Sequence, residues 1–219
     1  MKNKLKYMAL CLSLLIGVGA CSEEEIAYSA GEENKEVILQ LNCQLQTNQE
    51  VIVSRASTAE NRLNDLHFYV FNAAGELTGY KKLVATESSP IPTPGPETVT
   101  VKAITGEAYI YALANLNSTI YYLDDADKNK LTGIDEADVA GSSLTRDEFL
   151  AIDFKRQYGN ASHIISPNPT DGQFMMSGYL NGGKAVTITA GTNGAGVISE
   201  SNVIRLYRIL AKNTFTIEA

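Results

Sequence analysis

Apolar and polar residues alternate along "EVILQLNCQLQ" (36–46), with Val37, Leu39, Leu41, Cys43 and Leu45 on one face and Gln40, Asn42, Gln44 and Gln46 on the other. A sustained period of two predicts a β-strand with a single buried face. "LNDLHFYVFNAAG" (63–75) alternates again: Leu66, Phe68 and Val70 against His67, Tyr69 and Phe71. It runs through a turn at Ala74-Gly75 into "ELTGYKKLV", which predicts a hairpin. "TVTVKAITGEAYIYALANLN" (98–117) reads as strand, turn at Gly106, strand. "GQFMMSGYLNGGKAVTIT" (172–189) gives two strands around Asn181-Gly182-Gly183, and "VIRLYRILAKNTFTIEA" (203–219) closes the chain as one or two more. "SSPIPTPGPE" (88–97) holds four of the six prolines and predicts an irregular loop. One segment breaks the pattern: "SLTRDEFLAIDF" (143–154) predicts a helix, with Thr145 as N-cap and Glu148 at capping-box spacing. Many short strands with one short helix predict an all-β antiparallel sandwich.

The ends of the chain change this picture. Lys2, Lys4 and Lys6 precede the apolar run "MALCLSLLIGVGA" (8–20), the layout of a secretory signal and too short to span a bilayer comfortably. Val18-Gly19-Ala20-Cys21 resembles a bacterial lipobox, in which the cysteine is acylated before cleavage; the alternative is ordinary cleavage after small residues, leaving a free thiol. Acylation at Cys21 supplies more than one chain, as stable anchoring requires. The "SEEE" that follows resembles the acidic signal that exports lipoproteins of Bacteroidia-type bacteria to the cell surface, the alternative being a solvated charge run.

Removing residues 1–20 from the 219-residue chain leaves 15 basic against 25 acidic residues, a net charge of −10 where the whole chain carries −7. That balance excludes nucleic acid as an expected partner. Of three cysteines, Cys11 leaves with the signal and Cys21 is acylated, so Cys43 has no partner for a disulfide within the chain. Stability must come from a core, and 44% hydrophobic content supplies one.

Chemistry is sparse. His67 and His163 are far apart in sequence, no serine lies in a nucleophile elbow, and the "NGG" and "GTNGAG" runs read as turns. "DADKNKLTGIDE" (125–136) sets Asp125, Asp127, Asn129 and Glu136 at calcium-loop positions, but Lys130 stands where the template needs glycine and Thr132 where it needs an apolar residue. The segment therefore reads as an acidic, solvated loop. The expectation is a protein that is not an enzyme, with no metal and no cofactor.

Arg55 sits in the Ser/Thr/Ala/Asn-rich stretch "NQEVIVSRASTAENRLND" (48–65), after the first strand. An exposed arginine in such a linker invites a trypsin-like protease, although a plain solvent-facing arginine has the same composition. In order and spacing, the lipobox, the early strand, this arginine, "LNDLHFYVFNAAGEL", "AYIYALANLN", "FMMSGYL" and "RLYRILAKNTFTI" (with Arg208, Ala211 and Lys212) resemble the N-terminal domain of the major fimbrial subunits, the fimbrillins of type V pili. The resemblance spans essentially the whole chain.

It implies a Greek-key, transthyretin-like β-sandwich, exported as a lipoprotein to the outer membrane and processed by an arginine-specific protease between Arg55 and Ala56. The domains are then a signal peptide (1–20), a lipidated propeptide containing the strand 36–46 (21–55), and the N-terminal sandwich domain (56–219), with the family's usual C-terminal domain absent. Loss of the propeptide strand would open an edge and an apolar groove for a strand from another pilin subunit. The family's donor strand lies in the C-terminal domain, so the expectation is an acceptor groove without an evident donor. Two other functions fit the sequence. One is an anchor or tip subunit that keeps its lipid. The other is a surface glycan-binding lipoprotein using Tyr109, Tyr111, Tyr121 and Tyr122 as aromatic platforms, although alternate tyrosines on a strand also suit a core.

Overall fold

A computed structural model of the protein describes residues 34–46, 62–91, 97–116, 121–153, 155–156 and 175–208. The alternating stretch forms β1 (Glu36–Leu45), and the predicted hairpin forms β2 (Asp65–Asn72) and β3 (Leu77–Val84) around Gly75. Then follow β4 (Glu97–Ile104), β5 (Gly106–Ala114), β6 (Tyr121–Tyr122), β7 (Lys155–Arg156), β8 (Met176–Tyr179), β9 (Val186–Ala190), β10 (Gly196–Ile198) and β11 (Val203–Arg208). The expected all-β sandwich is observed.

Its wiring departs from simple hairpins. β4 follows β3 in the chain but pairs with β1, while β2 pairs with both β3 and β5. β5 is the hub. One edge meets β2; the other meets β8 along Tyr111–Ala114 and β9 along Gly106–Ala108. β8 continues to β11 and β9 to β10, so the strands on either side of Asn181-Gly182-Gly183 diverge instead of pairing. Gly178 in β8 is sterically required: a Cβ there would meet the Arg205 carbonyl oxygen of β11 at 2.5 Å. All named ladders are antiparallel except one: β1 and β11 run parallel.

The main core lies inside the nine-stranded sheet, which is nearly closed on itself. It joins the inward faces of β1 and β4 to Leu66, Phe68 and Val70 of β2, Ile110 of β5, Met176 of β8 and Leu206 of β11. A second apolar cluster lies on the opposite face of β2 and β5, where Tyr69, Phe71, Tyr111 and Leu113 meet Leu131, Leu144 and Phe149 from the segment after β6.

That segment contains two helices, where the sequence predicted one. α2 (Arg146–Ala151) has the predicted capping box, Thr145 and Glu148 each bonding the other's backbone N–H. Those bonds, from the Thr145 backbone first and its hydroxyl next, with Lys130 nearby, hold the Glu148 carboxyl below its ordinary pKa. α1 (Asp125–Thr132) corrects the expected acidic loop. Asp125 and Asp127 stand in its first turn and Lys130 in its last, a favourable order for the helix dipole. Its one buried residue, Leu131, enters the second cluster, and the Tyr69 hydroxyl donates to the Leu131 carbonyl at 2.9 Å. That contact spans the sequence from 69 to 131 and leaves no local signature.

Candidate functional site

The feature with the most functional content is the place β1 occupies. Its burial alternates without exception on the inward face: Val37, Leu39, Leu41, Cys43 and Leu45 are all buried, and the first four are at most 2% exposed. Burying each large aliphatic side chain contributes on the order of 1.5–3 kcal/mol before ordering costs.

The backbone of β1 bridges two strands that do not meet. On one edge, eight residues pair with β4, from Glu36 opposite Ile104 to Cys43 opposite Glu97. On the other edge, Asn42–Leu45 pair with Val203–Leu206 of β11. The β11 ladder is extended by Asn42 N–H to Asn202 O (2.9 Å) and Gln46 N–H to Leu206 O (2.9 Å), and the Asn202 amide donates to the Gln40 carbonyl (3.1 Å). At the entry, the Lys35 N–H donates to the Thr105 hydroxyl and Thr105 N–H to the Lys35 carbonyl. Along Val37–Leu39 the flank opposite β4 is the turn between β9 and β10. Ala195 makes a parallel bridge with Ile38, and Gly196 lies against Val37 and Leu39.

β4 pairs with β1 and, among the described residues, with no other strand. Withdrawing β1 would therefore leave an apolar groove with unpaired strand edges on both sides.

The predicted processing residues Cys21, Arg55 and Ala56 lie outside the described residues, as do His163, Ala211 and Lys212. Arg208 ends β11. His67 is buried in the second cluster. Its Nδ1 is 2.9 Å from the Tyr80 hydroxyl, and its Nε2 is 3.3 Å from Asp65 Oδ1, near enough for attraction but misaligned for a hydrogen bond. Burial pushes both the Tyr69 and Tyr80 phenols well above their ordinary pKa. The Tyr80 charge adds next at Tyr69 and Glu136 at Tyr80, with Asp65 acting on both. Both hydroxyls stay neutral: that of Tyr69 ties α1 to the sheet, and that of Tyr80 pairs with His67 Nδ1 between β3 and β2.

The calcium-template residues do not converge. Asp125, Asp127 and Asn129 lie on α1, while Glu136 accepts from Lys81 Nζ at 2.7 Å and from the Lys82 N–H at 2.8 Å. Two of the tyrosines expected as platforms, Tyr109 and Tyr111, are engaged by one arginine. The Arg146 guanidinium stacks 3.8 Å from the Tyr109 ring, and its Nε donates to the buried Tyr111 hydroxyl at 2.9 Å. β6 contains Tyr121 and Tyr122 and pairs with β7. A cleft of about 560 Å³ between β3, β4 and residues 136–145 has Glu36, Glu76, Lys102, Glu136 and Asp138 in its wall and no aromatic ring.

Sequence reading found β1 but missed what frames it. Gly196 reads as one more turn glycine of "GTNGAG", and Asn202 as a loop residue; nothing local separates them from their neighbours.

Comparison with known proteins adds the family. A model of the major fimbrial subunit protein family (FimA) matches residues 40–208. No curated protein matches significantly. Among solved structures, the chain is similar to a C-terminally truncated tip fimbrial protein from Porphyromonas gingivalis, at 17% identity and TM-score 0.48, over 80% of this chain and 49% of that one. It is also similar to a fimbrial assembly protein from Parabacteroides distasonis (15%, TM-score 0.43, 80% of this chain and 54% of that one). A third is the fimbrial anchor protein from P. gingivalis (13%, TM-score 0.40, 77% and 49%). The chain thus spans about half the length of these structures.

Proposed function

The chain belongs to the major fimbrial subunit protein family, and on that premise we propose that it is a structural subunit of surface fimbriae, contributing to adhesion. It is exported as a lipoprotein on acylated Cys21, cut after Arg55, and joined to other subunits by a strand that replaces β1. Its partners are other pilin subunits, the arginine-specific protease and, before processing, the outer membrane. The role needs no catalysis and no cofactor.

One observation supports this reading above the rest: β1 is integral to the sandwich, yet it lies on the far side of Arg55 from everything it packs against. A cut at that arginine would make a central strand non-covalent. Ladder bonds and five apolar side chains then define what a replacement must supply. A strand inserted between β4 and β11 regains hydrogen bonds on both edges, so the joint should dissociate slowly.

The test is the intact mass and N-terminal sequence of the protein recovered from cells. The expected result is a lipid-free chain beginning at Ala56. A chain beginning at acylated Cys21, with β1 retained, would overturn processing and point to a lipid-retaining anchor subunit.

A further inference from the structure

The slot of β1 is gripped differently along its length, and the difference singles out Gly196. Over Asn42–Leu45 the strand is located by its ladder with β11, with β4 still reaching Cys43. Over Val37–Leu39 that flank offers one bridge and then the bare Cα of Gly196. A Cβ at position 196 would fall 2.5 Å from Leu39 Cδ2 and 2.9 Å from Val37 Cγ2. Both side chains are at most 1% exposed, so neither has solvent to swing into, and valine is stiff about χ1. The φ of Gly196 is not in the left-handed region, so the position calls for a missing side chain and not for backbone freedom.

Ladder hydrogen bonds carry no sequence information. The apolar alternation rejects slips by one residue, which turn the polar face inward, but not slips by two. A slip by two must be refused by shape, and the tight seat over Gly196 supplies it. Resting on the reading of β1 as a replaceable strand, we infer that Gly196 sets the register and side-chain size of whatever strand fills the slot. The accepted occupant is an extended strand from a second polypeptide, running in β1's direction, with a valine and, two residues on, a leucine over the bare Cα.

The probe is a labelled peptide of residues 36–46. The protein is the full chain with a site-specific protease sequence placed around residue 55, cut in solution, with peptide uptake followed by native mass spectrometry. Wild type should exchange its own β1 for the peptide. Gly196→Val should lower uptake by about tenfold or more, the effect of overpacking a closed seat. A peptide carrying Leu39→Ala, which removes as many carbons as the valine adds, should restore uptake to Gly196→Val. Equal uptake of the unaltered peptide by wild type and Gly196→Val would overturn the register role and leave strand exchange standing. A wild-type chain that takes up no peptide would count against strand exchange itself. The register role is then read in the uncut chain: Leu39→Ala should recover most of the Tm lost to Gly196→Val, and additive losses would overturn it.

Discussion

β1 buries Val37, Leu39, Leu41, Cys43 and Leu45 and turns Gln40 and Gln44 to solvent, whereas β2 buries Leu66, Phe68 and Val70 on one face and His67, Tyr69 and Phe71 on the other. Both strands contribute to the main core. Only β2 also carries a second layer, where Phe149 of α2 packs 4.9 Å from the Tyr69 ring and 5.4 Å from that of Phe71. A strand with a bare outer face can be exchanged for another with the same inner face without disturbing anything above it. A strand packed on both sides cannot. In this sandwich β1 is packed on one face and β2 on both, and packing separates the two strands more clearly than length or hydrophobicity.

The largest expected effect is on β2. Phe71→Ala should cost about 3–5 kcal/mol in urea unfolding, because Phe71 is fully buried and its loss opens a cavity in the second cluster. It should also speed amide exchange in α1 and α2; unchanged exchange there would break the contrast. On β1, Leu41→Ala should cost about 2–4 kcal/mol, while Gln40→Ala on the bare face should stay within about 0.5 kcal/mol. Comparable losses at Gln40 and Leu41 would mean that something covers the outer face. The buried Cys43 thiol gives a direct clock for β1. With Cys11 and Cys21 replaced by serine, cutting the chain at Arg55 should speed Cys43 labelling by about tenfold or more, since the strand loses its tethered effective concentration. Labelling that stays as slow as global unfolding would place β1 with β2 as a permanent strand.

Two smaller effects belong to the second layer. Tyr80→Phe removes the partner of His67 Nδ1 and should cost about 1–3 kcal/mol at neutral pH. Burial raises the Tyr80 and Tyr69 phenols, so the unfolded state loses its tyrosine protons first as pH rises. Stability from these groups is complete below about pH 10 and declines above it. Tyr80→Phe should flatten that decline, and an unchanged alkaline Tm profile would contradict it. Thr145→Ala should cost about 1 kcal/mol by removing the α2 cap. The Glu148 side of the box works in the opposite pH direction. Its folded pKa is lowered, so its contribution is present above the ordinary value of 4.5 and is lost as pH falls below it. A Glu148→Gln variant should lack that acid limb in circular dichroism melts.

Much of the strand content was legible. β1 shows because each inward residue is apolar and each outward one polar, and α2 shows because a capping box is local chemistry. The α1 helix was not legible: apart from Ala126 and Leu131 its residues are polar, and the sheet face that receives Leu131 lies in another part of the chain. The surroundings of Tyr109 and Tyr111 were not legible for a similar reason. Tyr109 and Tyr111 look like an aromatic display until Arg146 is found over one and bonded to the other.

The sequence by itself determined which residues of β1 face inward, where the β2–β3 hairpin turns and where α2 begins, because each depends on neighbours within a few positions. Only the tertiary structure decided what β1 lies between. Its parallel pairing with β11, the Asn202 bond across 162 residues to Gln40 and the seat at Gly196 join the beginning of the domain to segments more than a hundred and fifty residues away. Backbone hydrogen bonds are alike in every strand, so alternation names a buried face but not the strands or side chains that will cover it.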